Sequence, residues 1–331
     1  MTLKARGPPI PPILRGRRKN RPLITVLAVT ALGFAACDKA SEEEPSRAPP
    51  EGTYTVGPRV ESVCRGFDGR YFVSIQETNV ASAEDGTLKL VNEHGEVSVF
   101  ASGMREPRGL DFTGTELVVT DLDRIWAVDK DGNKRVVADS NKFPVTVSNL
   151  NDLSVEPGGK TLLVTEMGPS SQMRPAGSTN TLHPVNSAEA QAMPQTARVF
   201  RVNIADGTVT TVLDASADNR IFNGVFSSKS GKILIADYFG GDLTEIANNQ
   251  QRTFAVPRGV DGIGEDKSGN LYLGVFEEGR VYRTDSNGGN PTVVVDGLGF
   301  RGVADIFVDA DNGLLLTPNI GAGTLIVQKL P

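Results

Sequence analysis

NDLSVEPGGKTLLVTEM (151–167) is a short alternating run, a Glu-Pro-Gly-Gly turn, then Leu, Leu and Val in succession. Alternation of apolar and polar residues is the period of a β-strand, and a glycine at the turn supplies the positive φ that a tight hairpin needs. Five other stretches repeat this cadence: ESVCRGFDGRYFVSI (61–75), RGLDFTGTELVVTDL (108–122), NGVFSSKSGKILIADY (223–238), DGIGEDKSGNLYLGVF (261–276) and ADIFVDADNGLLLTPN (304–319). Their turns read FDGR, TGTE, KSGK, KSGN and DNGL, and further strands such as IWAVDKDGNKRVVA (125–138) follow in most units.

The repeats start 47, 43, 72, 38 and 43 residues apart. Four short strands with their turns occupy roughly 40 residues, the size of a propeller blade. The last unit has room for only three strands, and TYTVGPRV (53–60) ahead of the first repeat can supply the fourth. The expectation is an all-β chain: a six-bladed β-propeller over 53–331 with four-stranded blades, closed by an N-terminal strand that removes the open sheet edge. No segment between strands is long enough for the helices of an α/β sheet, and six near-constant units disfavour a β-sandwich. The 72-residue unit carries an insertion at 168–197 between its second and third strands. In a blade that loop lies on the face where the first strand begins, so the insertion should overhang whatever the repeat starts form.

Residues 1–21 hold seven bases and no acid, and the apolar run PLITVLAVTALGFAA (22–36) follows. That run falls short of the ~20 residues a spanning helix needs and has the layout of a secretory signal. With the next residue, LGFAAC looks like a bacterial lipoprotein lipobox, with Phe34 where leucine is usual. The resemblance implies a lipid on Cys37, attachment to a membrane through it, and a place in the cell envelope on the periplasmic or extracellular face. Residues 37–52, rich in Pro, Glu and Ser, read as a solvated linker. Without residues 1–36 the chain has 27 bases against 40 acids, a formal charge of −13. Such a field opposes nucleic acid and favours cations. With Cys37 lipidated, Cys64 has no partner and reads as a small buried hydrophobe. A self-contained ring is expected to be a monomer.

The first strand of a blade lies innermost, so the repeat starts point to one end of the axis. They are Glu61, Arg108, Asn151, Asn223, Asp261 and Ala304; Asp152 and Asp305 stand one residue on. Two carboxylates and two carboxamides from four blades converge there, where a strand would ordinarily begin with Val or Thr. Hard oxygen donors arriving from several directions suit a divalent ion, calcium above all, with zinc or magnesium as alternatives. Asn-Gly and Asp-Gly are also common turn formers, and Asp152 and Asp305 could instead bond backbone amides inside the tunnel.

At these residues the chain resembles the family of senescence marker protein, gluconolactonase and luciferin-regenerating enzyme, six-bladed propellers with one axial divalent metal. The likeness is carried by Glu-Ser at 61–62, NDLSVEPGG at 151–159, FNG at 222–224 and VDGI at 260–263. It implies metal ligation by Glu61, Asn223 and Asp261, with Asn151 beside metal and substrate, and Asp261 also as the base that activates water. Asn151 is thus counted with the metal and the substrate residues, Arg108 as a substrate residue, and Asp152 as a second catalytic carboxylate. The implied activity is metal-dependent hydrolysis of a small lactone or ester. Many family members have an arginine two residues before the blade-three asparagine, where this chain has Asn149. Propellers of the NHL type share the cadence of PRGL (107–110) and PRGV (257–260), so the alternative is a non-catalytic envelope propeller binding a protein, peptide or glycan.

Other chemistries lack their residues. His94 and His183 are the only histidines, and neither a G-x-S-x-G elbow nor CxxC occurs. SVEPGGKT (154–161) ends like a phosphate loop but sits in a β-turn and has serine for the first glycine.

Overall fold

The computed structural model describes residues 47–331 except Asn79, Ala81 and Ser82. Residues 1–46, which include the expected signal segment 1–36, Cys37 and most of the expected linker, lie outside the described residues. Six four-stranded antiparallel sheets form the blades, five in simple sequence order from the axis outward and the sixth with its outermost strand supplied by the start of the body. Blade 1 begins with Val60–Arg65, blade 2 with Pro107–Phe112 and blade 3 with Leu150–Val155; blades 4, 5 and 6 begin with Phe222–Ser227, Val260–Glu265 and Phe307–Asp309. These first strands pack against one another around the ring, the sixth returning to the first. The blade-6 sheet is completed by Gly52–Thr55, antiparallel to Thr324–Lys329 with Tyr54 opposite Leu325, so the two chain ends close the ring. The chain joins the body before residue 53: Gly52 is in the strand and Pro49 is buried.

The six hairpin glycines, Gly69, Gly114, Gly159, Gly231, Gly269 and Gly313, all have positive φ, between 66° and 97°. A side chain there would be strained, which is why the turn residue recurs in every repeat. The second strands are apolar without alternation because both their faces are covered. In LVVTD (117–121), Leu117 and Val119 join Phe72 and Leu88 of blade 1, while Val118 joins Leu153 and Phe200 of blade 3. Each of the six blade–blade interfaces holds its own cluster of this kind, so the core is a ring rather than a centre. Cys64 is buried in the cluster between blades 1 and 2, with a free thiol. Among the described residues no helix is long and apolar enough to cross a membrane.

The insertion separates Thr161–Glu166 from Arg198–Asn203 and includes one helical turn, Ala188–Gln191. It is folded rather than loose. Ala190 and Met193 are buried with Met167, Ile221, Tyr238 and Phe239, and Met173, Leu182 and Val185 pack on that cluster. Arg258 ties it down, donating to the carbonyls of Phe239 (2.7 Å) and His183 (2.8 Å).

Candidate active site

In blades 1 to 5 the ladder between the first two strands breaks at one place. Val60 pairs with Ile75 and Val63 with Val73; Pro107 and Leu110, Leu150 and Leu153, Phe222 and Val225, and Val260 and Ile263 bracket the same irregularity. Two residues therefore face one. A bulge re-aims side chains and frees backbone groups from the ladder. Its first residue is Glu61, Arg108, Asn151, Asn223 or Asp261, and all five line a single cavity of about 480 Å³ at the mouth of the ring. Blade 6 contributes Ala304 at the corresponding place, so its side of the mouth is left to Ile320 and Gly321. Ser170, Met173 and Arg174 of the insertion form part of the wall.

The freed carbonyls are taken up by the preceding blade. Ser74 Oγ donates to the carbonyl of Arg108 (2.6 Å), Thr165 Oγ1 to that of Asn223 (2.9 Å), and Thr120 Oγ1 to that of Asn151. The glycines that follow are needed for close approach, not for turning. A Cβ on Gly109 would meet Leu153 N at 2.6 Å, on Gly224 the Asp261 carbonyl at 2.5 Å, and on Gly262 Ile306 N at 2.3 Å. The Asn-Gly and Asp-Gly pairs are thus strand residues pressed against the next blade, and the turn reading of them does not hold.

The side chains at the mouth are buried polar groups with little to bond to. Asn223 Oδ1 and Asp261 Oδ1 are buried and accept no hydrogen bond. Asn151 donates Nδ2 to the Met167 sulfur (3.3 Å), leaving its carbonyl oxygen to offer to the cavity. Glu61 accepts only a long bond from Gln76 Nε2 (3.3 Å). Burial pushes the Glu61 carboxyl up, with Arg108 and Arg59 opposing. The Asp261 carboxyl is pushed well above the usual range by burial, and the Glu61 and Asp305 charges add to it. Buried carboxylates and amide oxygens without donors are costly unless a cation meets them. Among the described residues no group of three His, Cys, Asp or Glu stands together to hold a metal. The donor set is two carboxylates and two carboxamides, all hard oxygens, which fits calcium and does not fit a zinc site of nitrogen and sulfur ligands.

Arg108 lies in the cavity wall but pairs with neither Glu61 nor Asp152. Its guanidinium donates to Glu106 (2.9 Å) and to Asn149 Oδ1 (2.6 Å), and Asn149 in turn donates to Ser170 Oγ (2.9 Å). Asn149 thereby holds an arginine coming from the neighbouring blade. Asp152 is not brought to the cavity. Its two oxygens accept the N–H groups of Leu153 and Val225, both at 2.7 Å, which staples blade 3 to blade 4. Asp305 accepts from Ser62 Oγ, linking blade 6 to blade 1, and its carboxyl is pushed up to about 7, chiefly by burial. Further lining residues escaped the sequence reading, among them Arg59, Gln76, Tyr238 and Arg301. A signal existed for the first, since Arg59 stands two residues before Glu61 as Asn149 does before Asn151.

No protein-family model matches the chain, and no curated protein matches it. Its structural neighbours are gluconolactonase-like and regucalcin-like six-bladed propellers. A gluconolactonase from Xanthomonas campestris superposes with a TM-score of 0.63 at 17% identity, covering 86% of this chain and 92% of that one. Regucalcin from Agrobacterium tumefaciens, described as a calcium-binding protein, gives 0.58 at 16% identity over 86% and 95%. A virginiamycin B lyase from Staphylococcus aureus gives 0.54 at 12% over 82% and 80%. One ring thus serves a lactonase and a lyase, so at these identities the likeness establishes the six-bladed fold, and the chemistry is decided by the side chains at its mouth.

Proposed function

We propose that the chain is a divalent-metal-dependent hydrolase of the lactonase type, acting on a small lactone or ester in the mouth cavity. The observation that carries this is the pair of buried, unpartnered oxygens, Asn223 Oδ1 and Asp261 Oδ1, beside Glu61 and Asn151. These four residues would hold the cation, calcium by their chemistry. When bound, such an ion supplies Lewis-acid polarisation of a carbonyl.

The chain's own residues do the rest. On this reading Asp261 takes a proton from an attacking water, as the mouth's other carboxylate, Glu61, serves the ion alone. Asn151 and Arg108 border the cavity and orient the substrate's polar edge, and Arg108 is held rigid by Glu106 and Asn149. The insertion roofs part of the site with Met173, limiting access of bulk water. A cavity of this size, walled by a folded insertion, favours a small molecule over a broad macromolecular contact. The test is a lactone and ester hydrolysis screen of the full chain with calcium, with chelator, and with metal restored. Turnover that chelation abolishes and calcium restores supports the reading; no turnover, or turnover indifferent to chelator, overturns it.

We also propose that Cys37 is lipidated and anchors the chain at the cell envelope, on the strength of LGFAAC after a basic, then apolar, leader. Mass spectrometry of the mature N-terminus tests this: a diacylated Cys37 is expected, and an unmodified or uncleaved leader would contradict it.

A further inference from the structure

The walls of the mouth carry more positive charge than its floor accounts for. Glu61 and Asp261 are the only carboxylates lining the cavity among the described residues, against Arg59, Arg108, Arg174 and Arg301. The chain as a whole is acidic, with 40 acids and 34 bases, so this concentration runs against composition. Two of the four are already neutralised. Arg108 is paired with Glu106, and Arg174 with Glu277, which also accepts from the Tyr238 hydroxyl. Arg59 and Arg301 make no ion pair among the described residues. Gln76 stands between Arg59 and the nearest carboxylate, accepting from Arg59 on its carbonyl and donating from its amide to Glu61. Arg59 Nε is buried with no acceptor at all. Arg301 lies over the Phe300 ring, 5.3 Å from its centroid, and Arg174 approaches that ring at the same distance.

The backbone at these two arginines is also unusual. Arg59 has φ 54° and Arg301 φ 66°, the left-handed region that side chains disfavour. The corresponding place in blade 5 is a glycine, Gly259 at φ 89°; each accepts the N–H of the first residue beyond the second strand, Gln76 to Arg59 and Phe276 to Gly259. The fold therefore takes glycine at the Arg59 place; Arg301 stands three residues before Ala304, and its carbonyl accepts the Gly321 N–H instead. Strained conformations persist where the side chain they present has a use.

We propose that Arg59 and Arg301 form an anion subsite at the blade-1 and blade-6 side of the mouth, and that the substrate is a lactone or ester bearing a carboxylate or a phosphate monoester. This rests on the hydrolase reading above. The subsite lies on the blade-6 side, where Ala304 brings no polar side chain to the mouth and Ile320 and Gly321 form the wall. Guanidinium recognition of either anion is charge-assisted and fork-shaped, and neither guanidinium has a carboxylate of its own among the described residues.

The test uses the full chain with calcium and γ-lactam probes, whose ring amide resists opening. One pair is the lactam carboxylate and its carboxamide; the other is a hydroxymethyl lactam with and without a phosphate ester. Calorimetry should show at least about tenfold tighter binding of the charged member in the wild type. The pair with the larger advantage identifies the anion. In Arg59→Gly that advantage should fall to within about twofold, with further loss in the double variant Arg59→Gly/Arg301→Gly. Both variants should keep or raise the melting temperature, because glycine accepts the positive φ. Equal binding of charged and neutral members, no binding of either acid, or an advantage that survives in the double variant would overturn the subsite. A parallel assay on the matching lactones separates the two claims: a charge preference that persists without turnover sustains the subsite and removes only the hydrolase reading.

Discussion

Asn151 and Asp152 are neighbours in one bulge, yet they belong to layers with opposite accounts of their polar atoms. The upper layer, Glu61, Asn151, Asn223 and Asp261, faces the cavity and leaves oxygens unbonded. The layer beneath is saturated. Asp152 holds Leu153 and Val225, Asp111 holds Phe112 and Val155, Ser154 accepts from Ser227 N, and Ser62 links Leu110 N to Asp305. Carboxylates of similar burial and similarly raised pKa therefore serve different ends. A raised pKa does not separate them; the presence or absence of a backbone partner does. The lower layer fastens blade to blade, and that rigidity lets the upper layer keep its oxygens aimed and unsatisfied.

Exchanging the layers' variants should exchange the phenotypes. Asp261→Ala is expected to reduce lactone turnover by ~10³-fold or more while leaving the melting temperature unchanged or raised, since it removes a buried carboxylate whose Oδ1 accepts no hydrogen bond. Asp152→Ala strands two buried amides at roughly 1–3 kcal/mol each and should lower unfolding stability by about 2–5 kcal/mol. Urea unfolding and steady-state rates of the two variants, measured side by side, decide this. If Asp152→Ala kept full stability and lost only activity, the layers would be wrongly divided.

A smaller effect should mark the lower layer by its pH dependence. Burial pushes the Asp111 carboxyl up to about 6 from an ordinary 3.8. Between those values the folded chain keeps a proton that the unfolded chain has released. The stability this group contributes is therefore full below the unfolded value and lost as pH rises through the folded one. The stability difference between wild type and Asp111→Asn should shift by about 2 kcal/mol between pH 4 and pH 7, in favour of wild type at the acid end. A difference independent of pH would contradict the assignment. Smallest of all, Ser74→Ala and Thr165→Val each remove a hydroxyl that donates to a bulge carbonyl across a blade boundary and accepts a backbone N–H of its own blade, from Ser62 and Asp152 respectively, and each should cost about 1–2 kcal/mol in urea unfolding. A loss in only one of them would show that the carbonyl it served finds water instead.

The ring was legible in the sequence because its marks are local: a positive-φ glycine in every hairpin and an unalternating apolar second strand in every blade. The mouth residues were legible because the same register recurs five times, so Glu61, Arg108, Asn151, Asn223 and Asp261 could be aligned without knowing why they face inward. The bulge itself was not visible, since a break in pairing leaves no period of its own. Asp152 was accordingly grouped with Asn151, although the break sends the two side chains to different layers. Gly224 and Gly262 looked like turn residues because composition cannot distinguish a left-handed turn from a close approach of two strands. Arg59 and Arg301 stood in loops, where nothing in the sequence announces a positive φ. Arg108 finds its ion-pair partner in Glu106, two residues back along the chain, a pairing that the repeat register does not mark.

The central claim is that the upper layer's unbonded oxygens await a cation. A calorimetric calcium titration of the chelator-stripped full chain, repeated with Asn223→Ala, tests it most directly. One-site binding in the wild type that disappears in Asn223→Ala is the expected result. Absence of binding in a folded wild type, or binding that Asn223→Ala leaves intact, would contradict it.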